Sequence, residues 1–166
     1  MTMSVPQIVA RIPHRAGMLL IDRVLELVPD QHVRAVKAVS FAEPWYQRLR
    51  TPLTDDDLAY PPALLLESWN QAAAVLATAE RPNTDVRRGL VMMLGSATGI
   101  RFARPVRPGE LLEHRVSLVR RIGDTMIFAG DTTVGGETAM TVDSVVLAQR
   151  PAARLVDTAP AGQGER

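Results

Sequence analysis

The apolar positions fall into segments of different period. After Pro6, Ile8, Val9 and Ile12 share one side of a short helix or turn. The run Leu19–Val28 reads as a strand, and Pro29-Asp30 supplies a turn behind it. Val33, Ala35, Lys37 and Val39 are spaced by two, so a second strand folds back as a hairpin. From Phe41 to Tyr60 no period survives. Pro44, Pro52 and Asp55-Asp56-Asp57 make this stretch a loop, and a loop of that length in a compact domain usually serves function or moves.

Pro61 through Glu80 predicts one long helix, opened by proline at a favourable position and ended by Arg81-Pro82-Asn83. It would span ~30 Å at ~1.5 Å per residue. Leu64, Leu65, Leu66, Trp69, Ala72, Ala73, Val75 and Leu76 make it apolar almost all round, so other structure has to enclose it. Four strand-like segments follow, Leu90–Ala103, Leu111–Arg121, Thr125–Val134 and Glu137–Ala148. They are separated by Pro105–Gly109, Ile122-Gly123-Asp124 and Gly135-Gly136. A hairpin, a loop, one buried helix and a four-strand run predict an α+β, hot-dog arrangement, an antiparallel sheet wrapped around the helix. The uncovered face and edge of such a sheet favour a dimer. Residues 1–150 read as a single domain, and 151–166, rich in Ala, Pro and Gly, as a frayed tail.

Composition narrows the chemistry. The 166 residues suffice for one domain, and 46% apolar content excludes wholesale disorder. The chain has no cysteine, which excludes disulfides, thiol catalysis and Cys-ligated metal; three histidines make a His-rich metal site a poor expectation. No apolar run reaches membrane-spanning length and no signal peptide is evident at the N-terminus, so a cytoplasmic protein is expected. A net charge of +1 gives no reason to expect nucleic acid. All basic residues but Lys37 are arginine, and Arg101, Arg104, Arg107, Arg120 and Arg121 form a local excess. That excess is either a solvated surface or a landing patch for an acidic partner.

Glu67 is the most informative residue. A carboxylate near the start of an apolar helix is costly unless it is paired, hydrogen-bonded or protonated. Desolvation raises its pKa toward the range of a general acid, while the helix dipole opposes this. It is either a structural residue bonded to loop amides or an Arg, or a catalytic one. Gln71, one turn on, is placed to orient it. His14, His32 and His114 are each expected to be solvated or locally bonded. Asp55-Asp56-Asp57 is expected to be a wet loop with too few ligands for a metal.

Three stretches resemble the β-hydroxyacyl-[acyl-carrier-protein] dehydratases of fatty-acid and polyketide synthesis. They are Ile12-Pro13-His14-Arg15 with Met18–Val24, Tyr60–Ala73, and Arg101–Glu110. The resemblance implies a hot-dog dimer without cofactor, acting on 3-hydroxyacyl thioesters of acyl carrier protein. In that family a His takes a proton from C2 and a Glu protonates the departing hydroxyl, the two coming from opposite subunits. Glu67 matches the Glu. The family's Gly-His-Phe-Pro-Gly run is absent: after Glu43-Pro44-Trp45-Tyr46-Gln47 the chain reads Arg48-Leu49-Arg50-Thr51-Pro52. Pro62 stands where the family has a Gly whose N–H serves the thioester carbonyl, and proline has none to give. The Ala63 N–H is the nearest substitute.

The resulting expectation is a divergent dehydratase subunit in which Glu67 is catalytic and a His-bearing paralogue supplies the base, as homodimer or heterodimer. His14, by family position, is expected to be a packing residue. The acyl-tunnel mouth is expected near Trp45, Tyr60 and Glu67, with Ala63 and Gln71 also touching substrate. Arg101, Arg104 and Arg107 are expected to dock the carrier. The alternatives are a non-catalytic acyl-binding partner subunit, or another hot-dog thioester reaction such as hydrolysis or double-bond isomerisation.

Overall fold

A computed structural model describes residues 1–153. Its helices are α1 (Val5–Val9) and α2 (Pro62–Ala77); its strands are β1 (Arg23–Val28), β2 (His32–Ala38), β3 (Leu90–Phe102), β4 (Leu111–Ile122), β5 (Thr125–Val134) and β6 (Glu137–Pro151). The strands form one antiparallel sheet in the order β1-β2-β4-β5-β6-β3. Helix α2 packs chiefly on β2 and β4, near the middle of that order. This is the hot-dog arrangement expected from the sequence.

Local chemistry explains the elements. Pro61 caps α2 and Pro62 opens it, where the missing N–H costs nothing. The β5–β6 hairpin turns on Gly135-Gly136, both at positive φ, which a two-residue turn of matching twist requires. Leu65, Trp69, Ala72, Ala73, Val75 and Leu76 of α2 are buried, and the sheet contributes Val33, Ala35, Leu112, Val116, Phe128 and Val145 to the same core. Trp69 is fully buried, and its indole N–H donates to the Arg115 carbonyl at 3.2 Å.

The boundaries shift in informative ways. The helix stops at Ala77, where Thr78 returns its hydroxyl to the Ala74 carbonyl. The first strand starts at Arg23, because the backbone of Leu20 is bonded to side chains of α2 and not to a strand. The long loop contains a 3₁₀ turn, Pro44–Arg48, with Tyr46 buried. The tail expected from residue 151 does not begin there. Pro151 ends β6, and Ala152, buried, donates its N–H to the Gly89 carbonyl at 2.9 Å. Residues 154–166 of that expected tail lie outside the described residues.

The two sheet edges differ. At one, Met3 bridges to Val24 of β1. At the other, β3 pairs only with β6 among the described residues, and Met93, Leu94 and Phe102 are exposed.

Because α2 is held mainly by apolar burial, Trp69→Ala is expected to lower unfolding free energy by about 3–5 kcal/mol. Urea unfolding followed by far-ultraviolet circular dichroism checks this.

Candidate functional site

Glu67 sits in the second turn of α2, half-buried. Its Oε1 accepts a hydrogen bond from Gln71 Nε2 at 2.9 Å and lies 3.2 Å from His14 Nε2. Burial acts to raise its pKa. The hydrogen bonds from His14 and Gln71 and the attraction of His14 outweigh that, so the carboxyl is held below the usual range. The sequence alone left those two tendencies open. Gln71, one turn on, holds one oxygen of Glu67 by that bond. His14 is more than a packing residue or a locally bonded one: it crosses to α2 and meets the carboxylate, while its Nδ1 is buried without a hydrogen-bond partner.

The segment that carries His14 is tied to the helix by two residues. Leu20 N–H donates to Gln71 Oε1 at 2.8 Å, and Gln71 Nε2 also donates to the Met18 carbonyl at 2.8 Å. The Ser68 hydroxyl donates to the Leu20 carbonyl. Ser68 Oγ is also 2.7 Å from Nε2 of His114, whose Nδ1 lies 2.8 Å from Thr132 Oγ1. His114 is therefore neither solvated nor locally bonded. It is fully buried, and desolvation first, then repulsion from Lys37, pushes its pKa down to about 3. Sequence reasoning missed both His14 and Ser68–His114. His32, by contrast, lies on the surface near Glu26, 3.5 Å away.

A cavity of about 140 Å³ opens at Glu67 and His14, lined further by Asn70, Gln71, Ala74, Met92, Leu94 and Leu147. A smaller one of about 70 Å³, mostly apolar, continues past His14, Ala74 and Met92 toward Thr78 and Leu90. A carboxylate at the mouth and an apolar recess behind it suit an acyl chain with a polar reacting end. A hollow of about 280 Å³ lies elsewhere, at the far end of α2, beside the Arg121–Asp30 ion pair and away from Glu67.

Trp45 and Tyr60 are not at this mouth. Their rings meet edge to face at 5.5 Å, Tyr60 is buried with its N–H on the Val106 carbonyl, and neither lines the cavities. Aromatic rings flanking the helix start find burial against each other and the core, and the opening falls instead between α2 and β3. Ala63 is exposed in the first turn of α2, and its N–H has no hydrogen-bond partner among the described residues.

The three arginines singled out for docking are largely engaged. Arg101 makes a two-pronged pair with Asp143, both bonds 2.9 Å, beside Gly99, where a Cβ would collide with that carboxylate. Arg104 bonds Glu110 at 2.9 Å. Arg107 Nε donates to the Asp55 carbonyl at 3.2 Å, leaving its charge without a carboxylate partner among the described residues. Asp55, Asp56 and Asp57 are exposed, and no cluster of three metal-ligating side chains occurs among the described residues.

His114 gives a pH prediction. It stays neutral in the folded chain down to about 3, whereas an unfolded His takes a proton near 6.5. Below pH ~6.5 the unfolded state therefore binds the extra proton, and stability falls as pH falls from there toward 3. His114→Leu is expected to flatten that slope, measured as the urea midpoint against pH. Glu67 adds to the loss in the same direction at the acid end: its depressed pKa gives stability above the unfolded value that is lost as pH falls through the folded one.

Residues 12–143 match the FabA-like domain. The chain is 33% identical over 147 residues to the 3-hydroxyacyl-[acyl-carrier-protein] dehydratase FabZ of Magnetococcus marinus, covering 89% of this chain and 92% of that one. It is 36% identical over 134 residues to FabZ of Myxococcus xanthus, covering 81% and 84%. Among solved structures, the dehydratase heterocomplex ApeI:P from Xenorhabdus doucetiae superposes with a TM-score of 0.72 at 20% identity, over 90% of this chain and 95% of that one. A hot-dog-like protein from Thermanaerovibrio acidaminovorans gives 0.61 at 16% identity, over 84% and 96%. A match that runs from the segment bearing His14 through α2 to β6, with relatives aligned over nearly their full lengths, makes this chain a member of the FabA-like, hot-dog dehydratase family.

Proposed function

We propose that the chain is a divergent subunit of a 3-hydroxyacyl-thioester dehydratase, working on acyl groups delivered by acyl carrier protein in fatty-acid or polyketide synthesis. One observation carries this reading: Glu67, half-buried and hydrogen-bonded, stands where an apolar recess opens, in a chain of the dehydratase family. In the reaction the C2 proton goes to a base, the C3–O bond breaks as the hydroxyl receives a proton, the C2–C3 double bond forms and water leaves. The segment 41–60 contains no histidine, so the base comes from a His-bearing partner chain, as subunits of this family share sites. The open edge of β3, with Leu94 and Phe102 exposed, offers the surface for pairing. The heterocomplex from Xenorhabdus, a dehydratase of two different chains, supports such an arrangement.

The lowered pKa of Glu67 constrains the roles. To protonate a leaving hydroxyl, Glu67 must first gain a proton, and the nearest ring nitrogen is His14 Nε2 at 3.2 Å. The same observation favours a second reading, in which Glu67 is itself the base of another thioester reaction, hydrolysis or isomerisation. A non-catalytic acyl-binding subunit is the third outcome.

Products identified by mass spectrometry separate these. The chain alone is expected to dehydrate 3-hydroxyacyl carrier protein poorly, because loss of a general base costs ~10²–10⁴ in rate. A His-bearing paralogue is expected to restore formation of the enoyl product, and Glu67→Gln to reduce it. Free acid, or a shifted double bond, from the chain alone establishes the second reading. Restored activity indifferent to Glu67→Gln establishes the third.

For carrier docking, Arg107 is expected to matter more than Arg101 and Arg104, whose charges are already answered by carboxylates. Arg107→Ala is expected to weaken carrier binding and its salt dependence, read by titration at two ionic strengths. Equal affinity after Arg→Ala at all three positions removes the docking role.

A further inference from the structure

An unbroken series of hydrogen bonds leads from the middle of the sheet to Glu67. It starts at Thr132 of β5, passes through His114 of β4 and Ser68 of α2 to Leu20, and continues through Gln71 to the carboxylate. The direction of each bond follows from what its atoms can do. The Leu20 carbonyl can only accept, so the single Ser68 hydroxyl proton points there. Ser68 Oγ must then accept from His114, which places the imidazole proton on Nε2 and leaves Nδ1 to accept from the Thr132 hydroxyl. On the other side of the same residue, Leu20 N–H requires Gln71 to present Oε1 to it. That orients the amide so that Nε2 faces Glu67 and the Met18 carbonyl. Every bond thus donates toward the carboxylate. Ser68, Gln71, His114 and Thr132 are all at 0% exposure, so water cannot substitute for a lost partner.

We propose that His114 is a positioning residue for Glu67: through Ser68 it fixes Leu20, and through Leu20 it fixes the face that the Gln71 amide turns to the carboxylate. His114 does not touch the cavity and is not the missing base. The charged group that opposes its protonation is Lys37 of β2, itself paired with Glu43 at 3.0 Å; the group facing Glu67 is His14. Without the Ser68 bond, Leu20 is free to shift, and Gln71 loses the contact that decides which end of its amide faces Glu67. The inference concerns the carboxylate itself and holds whichever reaction the site performs.

The test uses the full chain with glutamate labelled at the side-chain carboxyl carbon. The Glu67 signal is assigned by its absence in Glu67→Gln and followed by NMR against pH. His114→Leu is expected to raise the Glu67 midpoint by about half a pH unit or more, a roughly threefold change in its proton affinity. His114→Gln, which keeps a donor and an acceptor, is expected to restore at least part of it. An unchanged midpoint in folded His114→Leu, even with a lower melting temperature, reduces His114 to a packing residue and overturns the proposal. Should His114→Leu not fold, Ser68→Ala, which removes one oxygen, is expected to give the same shift, and its failure to do so overturns the proposal equally. Nitrogen NMR of His114 is expected to find the proton on Nε2; a proton on Nδ1 breaks the series at its second bond and refutes it.

Discussion

A helix buried on most of its surface carries polar side chains at a cost unless the surrounding chain answers them. Leaving one buried donor or acceptor unpaired costs about 1–3 kcal/mol, comparable to a sizeable part of a domain's net stability. On α2 the polar residues are Glu67, Ser68, Asn70 and Gln71, and two of them, Ser68 and Gln71, reach the same residue, Leu20. That demand pulls the segment before β1 against the helix at Leu20, two residues before Asp22 donates its N–H to Val36 of β2. It also brings His14 to Glu67. The stability of the fold and the charge of the carboxylate thus depend on one small set of bonds.

The consequence for chemistry is an ionised Glu67. In a merely greasy recess burial would have pushed this carboxyl toward neutrality; here a ring nitrogen and an amide hold its charge. In the proposed dehydratase reading this carboxylate has to gain a proton before it can give one to a leaving hydroxyl. In that reading, Pro62 at the helix start and the lack of histidine between 41 and 60 bear on the same reacting centre as Glu67.

The architecture was legible because burial writes period into sequence. The all-round apolar run of α2 and the alternation of β2 and β5 left little choice of arrangement. The site was legible at Glu67 and Gln71, whose spacing of four places them on one helix face. It was not legible at His14, because a contact across 53 positions leaves no periodic trace. His114 did leave one: Leu112 and Val116 flank it at two-residue steps, and all three point inward while Arg115 points out. Its immediate chain neighbours, Glu113 and Arg115, are charged and mask that signal. Trp45 and Tyr60 lie apart from the cavity at Glu67. Aromatic residues near a carboxylate in sequence look like a binding mouth, yet their own area is better buried against each other.

The bare flank of β3 has a consequence for how the protein must be made. A ribosome releasing this chain alone releases a long strand with its N–H and C=O groups facing outward on one side, and like strands are good templates for one another. The opposite flank has Met3 as a stopper; this one has none among the described residues. Copies left without a partner on that flank carry an open template into solution, where pairing of one β3 with another competes with correct assembly as concentration rises.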